Sequence, residues 1–456
     1  MKSTTFNTIS ERQVDVLDTS KVDRKKAWPF LILLMSTGLP VNYALEVARP
    51  MTVADVAELT AAATATGSSA SSMLFVMFLS TLYCMAGWML LKKPKAVAAV
   101  LSRQWPLALL MVFVALSMFW TSVPSKVTTN IIHNFGTAMI ALAAAIRYRS
   151  DPWLFPKQVG YVLGFNMLLQ VAAVFIIPAY AVDWQDRWRG FTTHPNTLGA
   201  MAFTTLWANA AMLICTRTSK KYLHFLFAAV AAAAVIGADS VTSMMAASCS
   251  VLLLFVFKRL EKMGAGRQFY LSLLVIIAFL STIIYIIGNV IDFGQLLQVF
   301  GRDAQLTGRR DLWDEAFKAL QAHPLLGWSF DDHAKLIAAG MPYPTYHNGF
   351  IDLSVSGGIS CILLFFSMIG VWAVSFMKKS LVASQIGPYS AAFIIAYLIH
   401  NLTEASLVAP RGQMWQVFLV VMFLGACKKW EAQRHVPEWH GEYRLGPALA
   451  SALNFR

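Results

Sequence analysis

Apolar runs close to 20 residues long recur from one end of this 456-residue chain to the other, and that feature leaves few folds open. About 20 apolar residues is the length a helix needs to cross the hydrocarbon core of a bilayer. Within that core every backbone N–H and C=O must find a partner, which a helix supplies and an irregular segment does not. With 57% hydrophobic and 13% charged residues and a mean hydropathy of +0.56, a string of soluble domains is excluded. The chain reads as an all-α, polytopic integral membrane protein of about 12 transmembrane helices. They are placed at 28–45, 72–91, 105–121, 127–146, 158–181, 197–215, 222–237, 241–257, 269–291, 349–377, 387–401 and 413–427.

Basic residues orient these spans. With the N-terminus inside, 27 of the 37 Lys and Arg fall in the tail 1–27, in 92–104, 147–157, 216–221, 258–268 and 378–386, and after 427. Lysine and arginine gather on the cytoplasmic side of membrane proteins, so both termini are expected inside and the long segment 292–348 outside. The domain reading follows: a cytoplasmic tail (1–27), transmembrane helices 1–9 (28–291), an external loop (292–348), helices 10–12 (349–430) and a second tail (431–456). The tail 1–27 lacks the apolar core and small-residue cleavage site of a signal peptide. The net charge of +13 follows from the same loop bias. No nucleic-acid motif accompanies it, and no nucleic-acid partner is expected. The five cysteines are scattered through apolar segments without a CxxC pair and read as inert core thiols.

The external loop holds what the spans cannot: arginine pairs, acids, histidines and prolines. Leu312, Ala316, Phe317 and Leu320 recur at helical spacing, predicting an amphipathic helix of about three turns. Thr307 is placed to cap it and Pro324 to stop it. Arg309 and Arg310 then occupy the first turn, where cations are disfavoured by the helix dipole. Either the turn is a solvated basic one, or an anion is expected there; phosphate is the usual guest at a helix N-terminus.

Two further external stretches carry unexplained polar residues. In 183–199, DWQDRWRGFTTHPNTLG, Arg187 and Arg189 sit where the orientation rule gives no reason for them, and interfacial snorkelling is the alternative. In 400–411, HNLTEASLVAPR, Glu404 and Arg411 lie beside short apolar segments. A carboxylate near the membrane is costly unless paired or functional; pairing with Arg411 or a loop arginine serves either purpose. At the end of the long loop, His347 in YHNG directly precedes an apolar helix. It is either a hydrogen-bonded interface residue or a base suited to take a proton near neutral pH. His194 and His323 each precede proline, and His333 lies in a loop.

Together, RGFTTHPNTLG, LTGRRDLWDEA with HPLLGWSF, YHNGFIDLSVSGG and HNLTEASL resemble the O-antigen ligase and exopolysaccharide polymerase superfamily, closest to its ExoQ-like exopolysaccharide branch. The four patches follow the family's order and span roughly residues 28–430. The resemblance implies metal-independent glycosyl transfer, without a cofactor, at the outer face of a bacterial inner membrane. The donor is a polyprenyl-pyrophosphate-linked oligosaccharide, and other polysaccharide assembly and export proteins are implied partners beside membrane lipid. Carried over by residue, Arg189 and Arg309 bind the pyrophosphate and His347 is the catalytic residue. Arg187 follows by proximity, and Arg310, Glu404 and Arg411 join as substrate-binding candidates. Gly358, nine residues past the His-Asn pair, keeps the ligase form of the motif, whereas Cys361 stands where a glycine or threonine belongs.

The physics agrees. A pyrophosphate leaving group needs cations where charge develops, and arginine grips phosphate in a bidentate fork. The expected activity is that of a polysaccharide polymerase. The alternatives are a ligase moving a finished glycan to a lipid or protein acceptor, a flippase for lipid-linked glycans, and a noncatalytic assembly subunit. A flippase wants charges within the spans; here the unexplained polar residues cluster on one external face.

Overall fold

Proline opens helix after helix in this protein: it stands in the first turn of those starting at Pro94, Trp105, Pro124, Pro178, Pro195 and Gly387. Its missing N–H costs nothing there, and its fixed φ suits the helix. The computed structural model describes residues 70–216, 218–260, 309–330, 345–377, 386–410 and 412–427. The expected spans 28–45 and 269–291, both tails and most of the 292–348 loop lie outside these residues, as do Thr307, His333 and Arg411.

The described residues form helices α1 (Ala70–Leu91), α2 (Pro94–Arg103), α3 (Trp105–Leu116), α4 (Pro124–Tyr148), α5 (Leu154–Ile176), α6 (Pro178–Ala181), α7 (Pro195–Cys215), α8 (Lys221–Gly237), α9 (Val241–Leu260), α10 (Arg309–Ala322), α11 (Gly349–Met377), α12 (Gly387–His400) and α13 (Gln413–Ala426). No strand occurs among them beyond one isolated bridge between Val182 and Trp188. Ten of the twelve expected apolar segments coincide with helices. Five of these, α4, α5, α7, α9 and α11, are long and apolar enough to cross a membrane, or six if the bent pair α2–α3 counts as one span. The expectation of about 12 spans is therefore not matched among the described residues. The shortfall is in length: α8, α12 and α13 have 17, 14 and 14 residues, short of the roughly 20 a bilayer requires.

Segment 92–104, expected as a loop, is mostly the helix α2. It meets α3 at 92°, where Pro106 has no N–H to carry the helical ladder through.

Helix α7 sits at the centre, against α5, α8, α9, α12 and α13. Aromatic rings tie it in: Phe203 stacks on Phe393 at 5.9 Å, Phe393 on Tyr397 at 5.9 Å, and Tyr397 leans on Phe418 at 5.0 Å. Each such pair adds about 0.5–1.5 kcal/mol beyond area burial. The outer surface is apolar as well. On α11, Ile359, Leu363, Phe366 and Val374 are all exposed, an arrangement that hydrocarbon rather than water accommodates.

Contacts sort the connections into two ends. At one, Arg103 donates to the carbonyl of Ala426 at 2.9 Å and Tyr389 to that of Pro152 at 3.1 Å. Lys93 has its pKa lowered there, by burial and then by Arg149 and Arg147. At the other end, Asn130 donates to the Phe330 carbonyl at 3.0 Å, Trp188 N–H to that of Gly237 at 2.7 Å, and Asn196 reaches Glu404. The basic connections 92–104 and 147–157 of the orientation argument meet at the first end; the second gathers described residues of the unexplained polar stretches.

Candidate functional site

The loop helix α10 docks by one face. Leu312 and Ala316 are buried as expected, packed with Trp313, Ala319, Trp328 and Tyr346. Phe317 is 52% exposed, a departure from the predicted face. The helix is held through Trp313, one residue round from Leu312, whose indole donates to the Tyr346 carbonyl at 2.9 Å. The docked face centres on Leu312, Ala316 and Ala319, and Phe317 lies roughly a third of a turn round the helix from it. Arg309 and Arg310 open α10, and Arg309 stands about one turn ahead of Trp313, so the helix start is tethered to the residue preceding His347.

Beyond α10 the HPLLGWSF segment enters a break in α11. Gly358 there has φ 62° and ψ −170°, and the ladder that should join Val355 to Ile359 is open. The inserted segment takes it over: Trp328 N–H donates to the Val355 carbonyl and Ser329 N–H to that of Ser356, both at 2.9 Å, while Ile359 N–H donates to the Pro324 carbonyl at 2.8 Å. A side chain on Gly358 would lie 2.3 Å from the Leu325 carbonyl oxygen, and one on Gly327 2.5 Å from Gly358 N. Broken backbone at membrane depth is tolerated only where protein or a cavity satisfies it, and here the inserted segment does so. This accounts for the glycine at 358, whose partner Gly327 sequence reasoning did not single out.

The turn before α11 fixes His347. Asp352 accepts from Tyr346 N–H and from the Thr345 hydroxyl, each at 2.9 Å. Asn348 caps the helix by accepting from Phe350 N–H at 2.9 Å and Ile351 N–H at 3.1 Å, and donates to the Leu402 carbonyl at 2.8 Å. Gly349 N–H donates to the carbonyls of Asn401 and Glu404. A Cβ there would meet the Asn401 side-chain oxygen at 2.3 Å, so this contact requires glycine. His347 itself has φ 50°, uncommon for a residue with a side chain. YHNG and HNLTE are thus joined backbone to backbone.

Glu404 is the meeting point. Its Oε2 lies 3.8 Å from His347 Nδ1, with the side chains 16% and 28% exposed. Its Oε1 accepts from Asn196 Nδ2 at 2.5 Å. His194 caps α7, its Nδ1 accepting from Asn196 N–H at 3.1 Å. Burial of its ring lowers the His194 pKa first; Arg187 and His347 add to this, against the opposing pull of Glu404 and Asp183. Glu404 borders two cavities. One, of about 350 Å³, includes His194, Asn196, His347, His400 and Gln413 in its lining; the other, of about 240 Å³, includes Asn130, Thr345, Asp352 and Ser356.

Other candidates stand apart. Arg187 is paired with Asp183 at 2.7 Å, and the same carboxylate accepts from the N–H groups of Gln185 and Arg187. Arg189 donates from Nε to the Tyr180 carbonyl at 2.7 Å, five residues before His194. His323 is used by packing, its ring edge-on to Trp328 at 4.3 Å. Sequence reasoning missed Asn196, Asp352, His400 and Gln413. Asn196 and His400 lie inside the quoted patches, but nothing in their spacing told which side chain would turn toward Glu404.

Residues 226–366 match the model of a family described as O-antigen ligase, Wzy_C. That stretch contains α10, the inserted segment, the α11 break and the His347 turn. No curated protein matches the chain. The match covers under a third of the chain, and over that stretch the protein is similar to the O-antigen ligase family. The Asn196 and Glu404 patches lie outside the matched residues, and the fold brings them onto it.

Proposed function

We propose that this protein is a polysaccharide polymerase of the ExoQ-like type, joining polyprenyl-pyrophosphate-linked repeat units into exopolysaccharide at the outer face of a bacterial inner membrane. The observation that carries the reading is the junction of His347, Glu404 and Asn196 beside a cavity, with α10 tethered one residue away through Tyr346. In this reading an acceptor hydroxyl attacks the anomeric carbon of the donor sugar. The bond from that carbon to the pyrophosphate oxygen breaks, and the lipid pyrophosphate leaves with the electron pair. The hydroxyl proton passes to Nε2 of His347, since Nδ1 faces Glu404, and Glu404 stabilises the imidazolium that forms. Arg189 and Arg309, assisted by Arg310 and Arg411, offset the charge on the leaving pyrophosphate. Arg187 belongs to the frame of this site through Asp183. No metal or cofactor is invoked.

The family description favours a second reading, a ligase that moves a finished glycan to another acceptor. The two share the donor and differ in the acceptor. Reconstitution of the full chain with lipid-linked repeat units tests both. A ladder of products from the donor alone identifies the polymerase, and transfer only when a separate acceptor is supplied identifies the ligase. Absence of any transfer overturns both.

A further inference from the structure

The larger cavity beside Glu404 has a polar floor that the transfer chemistry above does not use. His400, at the end of α12, is 2% exposed, and Gln413, at the start of α13, is 8% exposed. Both line the cavity. Neither polar atom of the Gln413 amide, nor Nδ1 of His400, has a hydrogen-bond partner among the described residues. A buried amide or imidazole nitrogen without a partner is costly, so two such residues in the lining of one cavity point to a ligand that supplies the missing bonds. His400 is fixed in place: its Nε2 lies 3.5 Å from the Ser243 hydroxyl, and its ring stacks on Phe203 at 6.4 Å.

The chemistry of the walls selects the ligand. The lining combines neutral donors and acceptors and one carboxylate with apolar groups, among them Ala200, Met201 and Met414. A pyranose ring has this combination, with hydroxyls at its rim and C–H groups on its face. Pyrophosphate does not fit, because the Glu404 carboxylate would repel it; among the described residues no lysine or arginine lines the cavity. The volume of about 350 Å³ falls within the roughly 300–1,000 Å³ of small-ligand sites.

We propose that the cavity floored by His400 and Gln413 is a glycosyl subsite, in which the Gln413 amide and the His400 imidazole read the hydroxyls of one sugar ring beside His347. This rests on the transferase reading for its purpose but not for its test. The recognition of hydroxyls by buried polar groups discriminates strongly, since an analogue lacking the hydroxyl leaves those groups unpaired.

Saturation-transfer NMR on the full chain in lipid nanodiscs reads the site directly, with the methyl glycosides of glucose, galactose, mannose and glucuronic acid as probes. At least one neutral glycoside should receive saturation, and the glucuronide should receive less, because Glu404 opposes its carboxylate. Gln413→Leu should lower the signal at least fivefold. Ala200→Met, which fills the apolar wall and removes no polar group, should do the same, and it decides the matter if Gln413→Leu does not give monodisperse protein. Absence of saturation from all four probes, or an undiminished signal in both variants, overturns the subsite. Product ladders without glycoside binding would leave the transferase standing and remove the subsite. Glycoside binding without any transfer would do the reverse.

Discussion

The carboxylate of Glu404 and the imidazole of His347 face each other at 3.8 Å, although 57 positions apart in sequence, because the backbone of Gly349 is bonded to the carbonyls of Asn401 and Glu404. Removal of either partner should affect turnover in different degrees. His347→Ala should slow transfer by roughly 10²–10⁴-fold, the span usual for general acid–base catalysis. Glu404→Gln keeps an oxygen for Asn196 and loses only the charge, so its loss should be smaller than that of His347→Ala. Donor affinity in nanodiscs should stay unchanged in both. Unaltered turnover in His347→Ala would remove it as the base.

The two arginines of the first patch should part company on conservative replacement. Lysine can still pair with Asp183, so Arg187→Lys is expected to keep most activity. Arg189→Lys and Arg309→Lys should lose it with folded protein retained, since a point charge does not replace a bidentate fork on pyrophosphate. Activity assays and monodispersity on the three variants check this, and full activity of all three would assign the arginines to loop anchoring.

The segment inserted into α11 predicts a coupled pair. Gly358→Ala and Gly327→Ala each force a side chain into a left-handed residue and against backbone at 2.3 and 2.5 Å, with an expected cost of about 1–3 kcal/mol each. The two sit at one junction, so the double variant should cost less than the sum. Thermal unfolding in detergent measures all three. Additive losses would mean that the two glycines act separately.

His194 gives the pH dependence. Its cap requires an unprotonated Nδ1, and its pKa is lowered in the folded protein. The unfolded chain therefore binds more protons, and stability from this group is present above the ordinary histidine pKa of about 6.5 and falls as pH drops below it. A cap is worth about 1 kcal/mol. His194→Asn, which caps without titrating, should flatten the decline of melting temperature between neutral and mildly acid pH. An equal decline in wild type and variant would exclude His194.

Much of the frame was legible because it depends on composition and period. Apolar runs mark the helices, and the placement of α10, which an Arg pair opens, followed from Leu312 and Ala316. Phe317 shows the limit: its spacing suited the buried face, yet the docked face centres on Leu312, Ala316 and Ala319 and leaves it outside. The His347 turn was legible as a polar motif before an apolar helix. Its dependence on Glu404 was not, because that contact is set by backbone bonds between patches far apart in sequence. The roles of the floor residues His400 and Gln413 were illegible for a plainer reason. Each stands at the end of an ordinary apolar helix, and only tertiary packing decides whether such a residue faces lipid, a neighbour or a cavity.

The way HPLLGWSF completes α11 limits how the gene can change. Trp328 and Ser329 must reach Val355 and Ser356 while Pro324 reaches Ile359, so the six residues from Pro324 to Ser329 form a fixed gauge. Deleting or adding one there would shift every bond of the junction. Insertions and deletions among natural variants should therefore spare the stretch from Pro324 to Ser329, whose length stays constant.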